Sequence, residues 1–221
     1  MQTVLFVGNK NYSSWSLRPW LALTWAGVDF ETRVIPLGGE GYGQARIPAV
    51  VAVSPSGRVP ALQVGEATIW DSLAISEYAA ELDPTLWPAD PLVRGVARAA
   101  TAEMHSSFTA VRRDLSMNLR RRVAARTWPA DTAADIARIT TSWADLRARY
   151  GSDGPWLFGR RSVADAFYAP VATRFRTYSV AVPAVCSAYM ETLFADPAFK
   201  SWEADAIAEP LVIEQTEALY R

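Results

Sequence analysis

The sequence predicts an α/β unit followed by an all-helical unit. Residues 1–82 alternate short β-rich runs with helical spacing, and Asp83 to Pro91 then places three prolines in nine residues. Beyond that stretch the chain becomes alanine-rich, with charges at helical intervals and no β-branched runs.

Thr3 to Val7 is apolar, with no basic residues ahead of it, and reads as a first strand rather than a leader. Gly8-Asn9-Lys10-Asn11 breaks the run, and Trp15 to Gly27 shows helical spacing closed by Ala26-Gly27. Phe30 to Leu37 is a second strand, which completes a βαβ unit with a right-handed crossover. Gly38 to Ser56 holds four glycines and two prolines, so only a weak helix near Ile47 to Val53 is expected there. Ala61 to Val64 and Ala67 to Trp70, joined by Gly65-Glu66, have the spacing of an antiparallel hairpin. From Asp71 to Leu82, the residues Leu73, Ile75, Tyr78, Ala79 and Leu82 fall near a period of 3.6, an amphipathic helix. Strand, helix, strand, hairpin, helix is the thioredoxin-like arrangement.

The expected domains are 1–82 and 92–221, with 83–91 as linker. In the second domain two long helices are expected, from Leu92 to about Arg126 and from Asp131 to Tyr150. Ser162-Val163-Ala164-Asp165 opens a third, with serine at the N-cap and an acid at N3.

Of 221 residues half are hydrophobic, and 22 basic side chains nearly cancel 23 acidic ones. Nothing in that balance points to nucleic acid or an anionic membrane. Arg120-Arg121-Arg122 reads as a solvated helix face. One cysteine, Cys186, excludes an internal disulfide, and no apolar run is long enough to span a bilayer, so a cytoplasmic protein is expected.

Three short motifs carry chemistry. Ser13, Ser14 and Ser16 sit where the first strand hands over to the first helix; Pro19 fits best at the third helical position, which favours Ser16 as N-cap. A cis proline at Val59-Pro60 would leave the Val59 N–H and C=O aimed outward, ready to pair with an extended peptide. Asp71-Ser72 places a carboxylate, a hydroxyl and backbone N–H groups at a helix N-terminus, which suits an α-amino-acid head bearing both charges. The lone histidine, His105, is expected as a packed or surface side chain on the first long helix. No Cys-x-x-Cys motif occurs.

These motifs, with Asn11-Tyr12-Ser13-Ser14-Trp15-Ser16-Leu17-Arg18 ahead of them, resemble the glutathione transferase family over essentially the whole chain. The resemblance implies a thioredoxin-like α/β domain plus an all-α domain, glutathione as cosubstrate, a small apolar electrophile as second substrate, and a homodimer. By that resemblance Ser13, with Ser14 as alternative, stabilises the glutathione thiolate in a zeta-like Ser-Ser-x-Ser-x-Arg pattern, which carries cysteine where this chain has Trp15. Val59, ahead of Pro60, would pair with the cysteinyl backbone, and Asp71 with Ser72 would hold the γ-glutamyl end. Arg46, Gln44 and Arg58 are the candidates for the glycyl carboxylate, while Arg18 faces either the site or a dimer partner. Met104, Phe108, Arg112 and Met117 are candidate pocket walls that read equally as plain core.

Lowering a thiol from a pKa of about 8.5 by two units takes about 2.7 kcal/mol. One charge-assisted hydrogen bond supplies about 1.5–3 kcal/mol and a helix N-terminus about 0.3–1 kcal/mol, so neither metal nor histidine is needed. Conjugation or transfer is the first expectation. A glutathione-dependent cis-trans isomerase of the maleylacetoacetate kind and a non-catalytic binding module are the alternatives.

Overall fold

In the computed structural model, which describes residues 2–38, 43 and 46–218, β1 (Thr3–Val7) lies inside a four-stranded sheet of order β2-β1-β3-β4. β2 (Glu31–Val34) runs parallel to β1, β3 (Ala61–Val64) antiparallel to it, and β4 (Ala67–Ile69) antiparallel to β3. Leu5 sits opposite Thr32 on one side and Leu62 on the other. β1 reads as a continuous apolar run because both its faces are covered. Leu5 and Val7 enter the main core with α1 (Ser14–Trp25) and α3 (Ser72–Leu82), while Val4 and Phe6 join Ile35 and Val50 of α2 (Pro48–Val51) on the opposite face. α3 starts as expected, with the Asp71 carboxylate accepting the Leu73 N–H at 2.9 Å.

After a 3₁₀ turn at Pro84–Leu86, the rest is helical: α4 (Pro91–Ser106), α5 (Thr109–Asp114), α6 (Ala130–Tyr150), α7 (Val163–Thr177), α8 (Ala184–Ala195), α9 (Pro197–Ala208) and α10 (Glu214–Glu217). The single long helix expected from Leu92 to Arg126 is instead broken after Ser106. Phe108 adopts φ +62° with its side chain buried, and the Asp135 carboxylate on α6 caps α5 by accepting the N–H groups of Ala110 and Val111, both at 3.1 Å. Burial of one aromatic ring and a cap supplied from another helix override the local helical pattern. Between Asp114 and Ala130 the chain is not helical, so Arg120 to Arg122 form no helix face. Arg120 donates to the carbonyls of Ala206 (3.0 Å) and Glu209, Arg121 pairs with Glu217 (2.6 Å), and Arg122 donates to Leu119 O (3.0 Å).

The box that opens α7 forms as expected. Asp165 Oδ2 accepts from the Ser162 N–H (2.8 Å) and hydroxyl (2.9 Å), and Oδ1 from the Leu157 N–H (3.2 Å). Asp165 is fully buried, and burial pushes its carboxyl up to about 6 while these donors pull the other way. The helical unit is tied to the sheet unit by Trp25 Nε1 donating to Asp196 (3.0 Å), by Lys10 paired with Asp205 (2.6 Å), and by one hydrophobic core that runs through both. Cys186 is buried, its thiol directed at Thr140 O (3.3 Å). No helix among the described residues is long and apolar enough to cross a membrane.

Replacing Asp165 by Ala strands two buried N–H donors and a hydroxyl, and should lower unfolding stability by about 3 kcal/mol. Urea denaturation checks this; a loss below about 1 kcal/mol would show that the box does not hold α7 in place.

Candidate active site at the junction of strand one and helix one

A cavity of about 810 Å³ opens between the first turn of α1, the loop ahead of β3 and the start of α3, with His105 of α4 and Ile213 closing it from the helical unit. Ser13, Ser14, Arg46, Arg58, Val59, Pro60, Asp71 and Ser72 all line it. The structure therefore brings together the serine pair, Val59-Pro60, Asp71-Ser72, Arg46 and Arg58, whereas Arg18, Met104, Phe108, Arg112 and Met117 do not line the cavity. Gln44 lies outside the described residues.

The first turn of α1 differs from expectation. The helix starts at Ser14 with Ser13 just ahead of it, so Ser16 is inside the first turn and Pro19 is the sixth helical residue. Pro19 forfeits one helix hydrogen bond, which tertiary contacts of this turn offset. Ser16 Oγ accepts the Gly8 N–H at 3.1 Å and lies 2.7 Å from Ser13 Oγ, while Leu17 and Leu21 are fully buried. Either hydroxyl can donate in the Ser13–Ser16 bond; when Ser16 donates, the Ser13 proton is left for a third atom in the cavity. Ser14 Oγ accepts from Arg174 of α7 at 3.1 Å, which leaves its own proton free in the same way.

Three arginines crowd this end. Arg174 also donates to Leu115 O, and Arg112 caps the end of α4 by donating to Ser107 O (3.0 Å) and Met104 O. Arg18 is fully buried, with none of its guanidinium nitrogens hydrogen-bonded among the described residues. Its charge rests on the rings of Trp15 (4.3 Å) and Phe167 (4.8 Å), and Arg112 lies over the other reach of Trp15 at 5.0 Å. Burial, and then the neighbouring charges of Arg112 and Arg174, hold the Arg18 pKa well below the usual arginine range. The α1 end of the cavity is thus positive, suited to an anion.

The start of α3 brings an acid and an unsatisfied hydroxyl. The Ser72 hydroxyl is buried in the cavity wall without a hydrogen-bond partner among the described residues. The Val59–Pro60 bond is cis, as expected, and Val59 makes no backbone hydrogen bond among the described residues. Gly57 takes φ +65°, the left-handed conformation that favours glycine, in the loop ahead of Val59. Met104, Phe108 and Met117 are core rather than pocket wall. His105 is packed, as expected, against Trp15 and Phe167, and it also reaches the site: its Nε2 lies 3.3 Å from Asp71 Oδ2. Arg174 escaped notice altogether, although a charge amid the otherwise apolar spacing Phe167, Val171, Arg174 is the signal that marks it. Among the described residues no cluster of His, Cys, Asp or Glu could hold a metal ion.

A thioredoxin-like sheet unit joined to an all-helical unit, with serines opening one helix across from an acid–serine pair opening another, defines a class of thiol-handling proteins. The family model for the glutathione S-transferase N-terminal domain matches residues 12–82. Maleylacetoacetate isomerase of Pseudomonas aeruginosa is 31% identical over 189 residues, covering 81% of this chain and 84% of that protein. The maleylacetoacetate isomerase of Rattus norvegicus is 37% identical over 97 residues, 43% of this chain and 44% of that one. Among solved structures, the theta class glutathione S-transferase of Xanthomonas axonopodis pv. citri, with glutathione bound, is 27% identical with a TM-score of 0.64, covering 95% of this chain and 99% of that one. This chain belongs to the glutathione transferase family of enzymes.

An unpaired buried charge is costly, and an isosteric apolar replacement removes that cost. Arg18→Met should leave the fold intact and raise unfolding stability by about 1–3 kcal/mol, read by thermal denaturation; a lower melting temperature would show that the guanidinium stabilises the α1 end of the site.

Proposed function

We propose that this enzyme binds glutathione along the cavity and keeps its sulfur anionic at the first turn of α1. The single observation that carries the reading is the buried, unpartnered Ser72 hydroxyl beside Asp71, facing the serine pair of α1 across one cavity. Asp71 takes the α-amino group of the γ-glutamyl residue, and Ser72 with the N-terminus of α3 takes its carboxylate. The free N–H and C=O of Val59 pair with the cysteinyl backbone, and Arg46 or Arg58 meets the glycyl carboxylate. The sulfur then lies at Ser13, whose hydroxyl donates to it; Ser14, polarised by Arg174, is the alternative donor. With its proton lost to solvent, the thiolate attacks an electrophilic carbon of a small apolar substrate; the carbon–sulfur bond forms as a leaving group departs with its electron pair or, at an activated double bond, as the π pair moves to the neighbouring atom and is protonated from solvent.

The glutathione-binding unit is 1–82, the linker 83–91 and the helical unit 92–221. A homodimer is the assembly we propose, supported by Leu82 and Leu92, exposed on either side of the α3–α4 connection. Glutathione-dependent isomerisation is the second reading, favoured by the relatives from Pseudomonas aeruginosa and Rattus norvegicus, both named maleylacetoacetate isomerase. Isomerisation returns glutathione unconsumed, so product analysis separates the two. A binding module is disfavoured, because the sulfur-side serines and the acid–serine pair are all present.

Calorimetric titration with glutathione should show binding by the wild type, with Ser13→Ala binding within about twofold. The variant should lose the ultraviolet absorbance of the bound thiolate and about 10- to 100-fold in kcat/KM, the worth of one charge-assisted hydrogen bond. Unchanged absorbance would move the donor to Ser14, and absence of wild-type binding would overturn the glutathione reading.

A further inference from the structure

We infer that His105 is a positioning residue for the ammonium end of the ligand: from α4 it holds the Asp71 carboxylate in place across the two units, and so sets how binding depends on pH. This rests on the reading of Asp71 as the γ-glutamyl clamp.

The Asp71 side chain is half exposed and is tied at both oxygens, Oδ1 to the Leu73 N–H at 2.9 Å and Oδ2 facing His105 Nε2 at 3.3 Å. The cap alone leaves the carboxylate free to swing about its side-chain torsions. The second contact, from a different helix, fixes its plane, and the remaining lone pairs face the cavity. His105 is itself held, edge-on to Trp15 of α1 (centroids 5.3 Å apart, planes at 88°) and tilted against Phe167 of α7 (6.0 Å). Its Nδ1 is buried without a partner among the described residues. In a neutral ring the proton therefore sits on Nε2, facing the carboxylate, because a buried N–H without an acceptor costs more than an unfilled lone pair.

The charged groups that bear on this ring are Asp71 at the start of α3, Arg18 from α1 and Arg112 from α5; α7 presents the Phe167 ring. Burial lowers the His105 pKa from its usual 6.5, the two arginines lower it further, and Asp71 pulls it back up, with a net downward shift. At neutral pH the ring is thus an uncharged donor to Asp71. On protonation it becomes a cation that competes with the ligand's ammonium for the same carboxylate. Affinity is therefore flat above the His105 pKa and falls as pH drops through it.

S-Hexylglutathione is the probe, since it has no thiol whose own titration would add a pH dependence. Calorimetric titration from pH 7.5 downward should show wild-type affinity flat near neutrality and falling on the acid side; a rise on the acid side overturns the inference. His105→Ala should bind about five- to tenfold more weakly at pH 7.5, about the net worth of one ordinary hydrogen bond. His105→Gln, which offers an amide donor and does not titrate, should restore affinity to within about twofold and abolish the acid limb. An acid limb retained by His105→Gln, or wild-type affinity in His105→Ala at pH 7.5, overturns the inference while leaving the glutathione reading in place. A wild type that binds no S-hexylglutathione overturns both.

Discussion

Ser16 Oγ, with the Gly8 N–H at 3.1 Å and Ser13 Oγ at 2.7 Å, ties the end of β1 to the first turn of α1. Much of the site's geometry depends on that junction. It sets Ser13 and Ser14 on the cavity wall rather than in capping contacts, and it aims the positive end of α1 at the same place. It also fixes the rotation of α1, and with it the burial of Leu17 and Leu21 and of Arg18 beneath Trp15. A helix shifted by one residue would turn these side chains by about 100° and separate the hydroxyls from the cavity.

The cavity gathers both signs of charge. The guanidinium of Arg174 reaches Ser14, while the Asp71 carboxylate stands beside His105 and near enough to the buried Arg18 to act on it. A ligand that carries both an anionic and a cationic group meets a field with a place for each. Neither unit makes that field alone. The sheet unit supplies the serines, Val59 and Asp71, whereas Arg174, Arg112 and His105 reach in from α7, α5 and α4. The continuous hydrophobic core across both units holds those contributions in register.

The sheet unit was legible in the sequence because its boundaries are covalent in origin. Gly8, Gly65 and the prolines punctuate it, its first strand is a short apolar run, and Asp71 announces α3 by capping chemistry, as Ser162 does for α7 in the helical unit. Thr3–Val7, Ala61–Val64 and the α3 helix fall where expected. What escaped depends on partners distant in sequence. The break at Phe108 needs a left-handed residue that is not glycine, held by burial and by Asp135. Arg120 reads as a surface charge until the carbonyls that end α9 are brought to it. Local pattern also placed the α1 cap on Ser16, because Pro19 argues for the shorter helix and only tertiary contacts argue against it. His105 and Arg174 gain their meaning solely from the elements they face.

Cys186, the sole cysteine of the chain, is fully buried with its sulfur against a carbonyl of α6. Burial also raises its pKa, so little of it is thiolate near neutrality. The folded enzyme is therefore close to silent toward chromogenic thiol reagents. In a reaction mixture the colour developed counts the tripeptide alone, and slow labelling of the protein itself becomes a clock for how often the helical half opens.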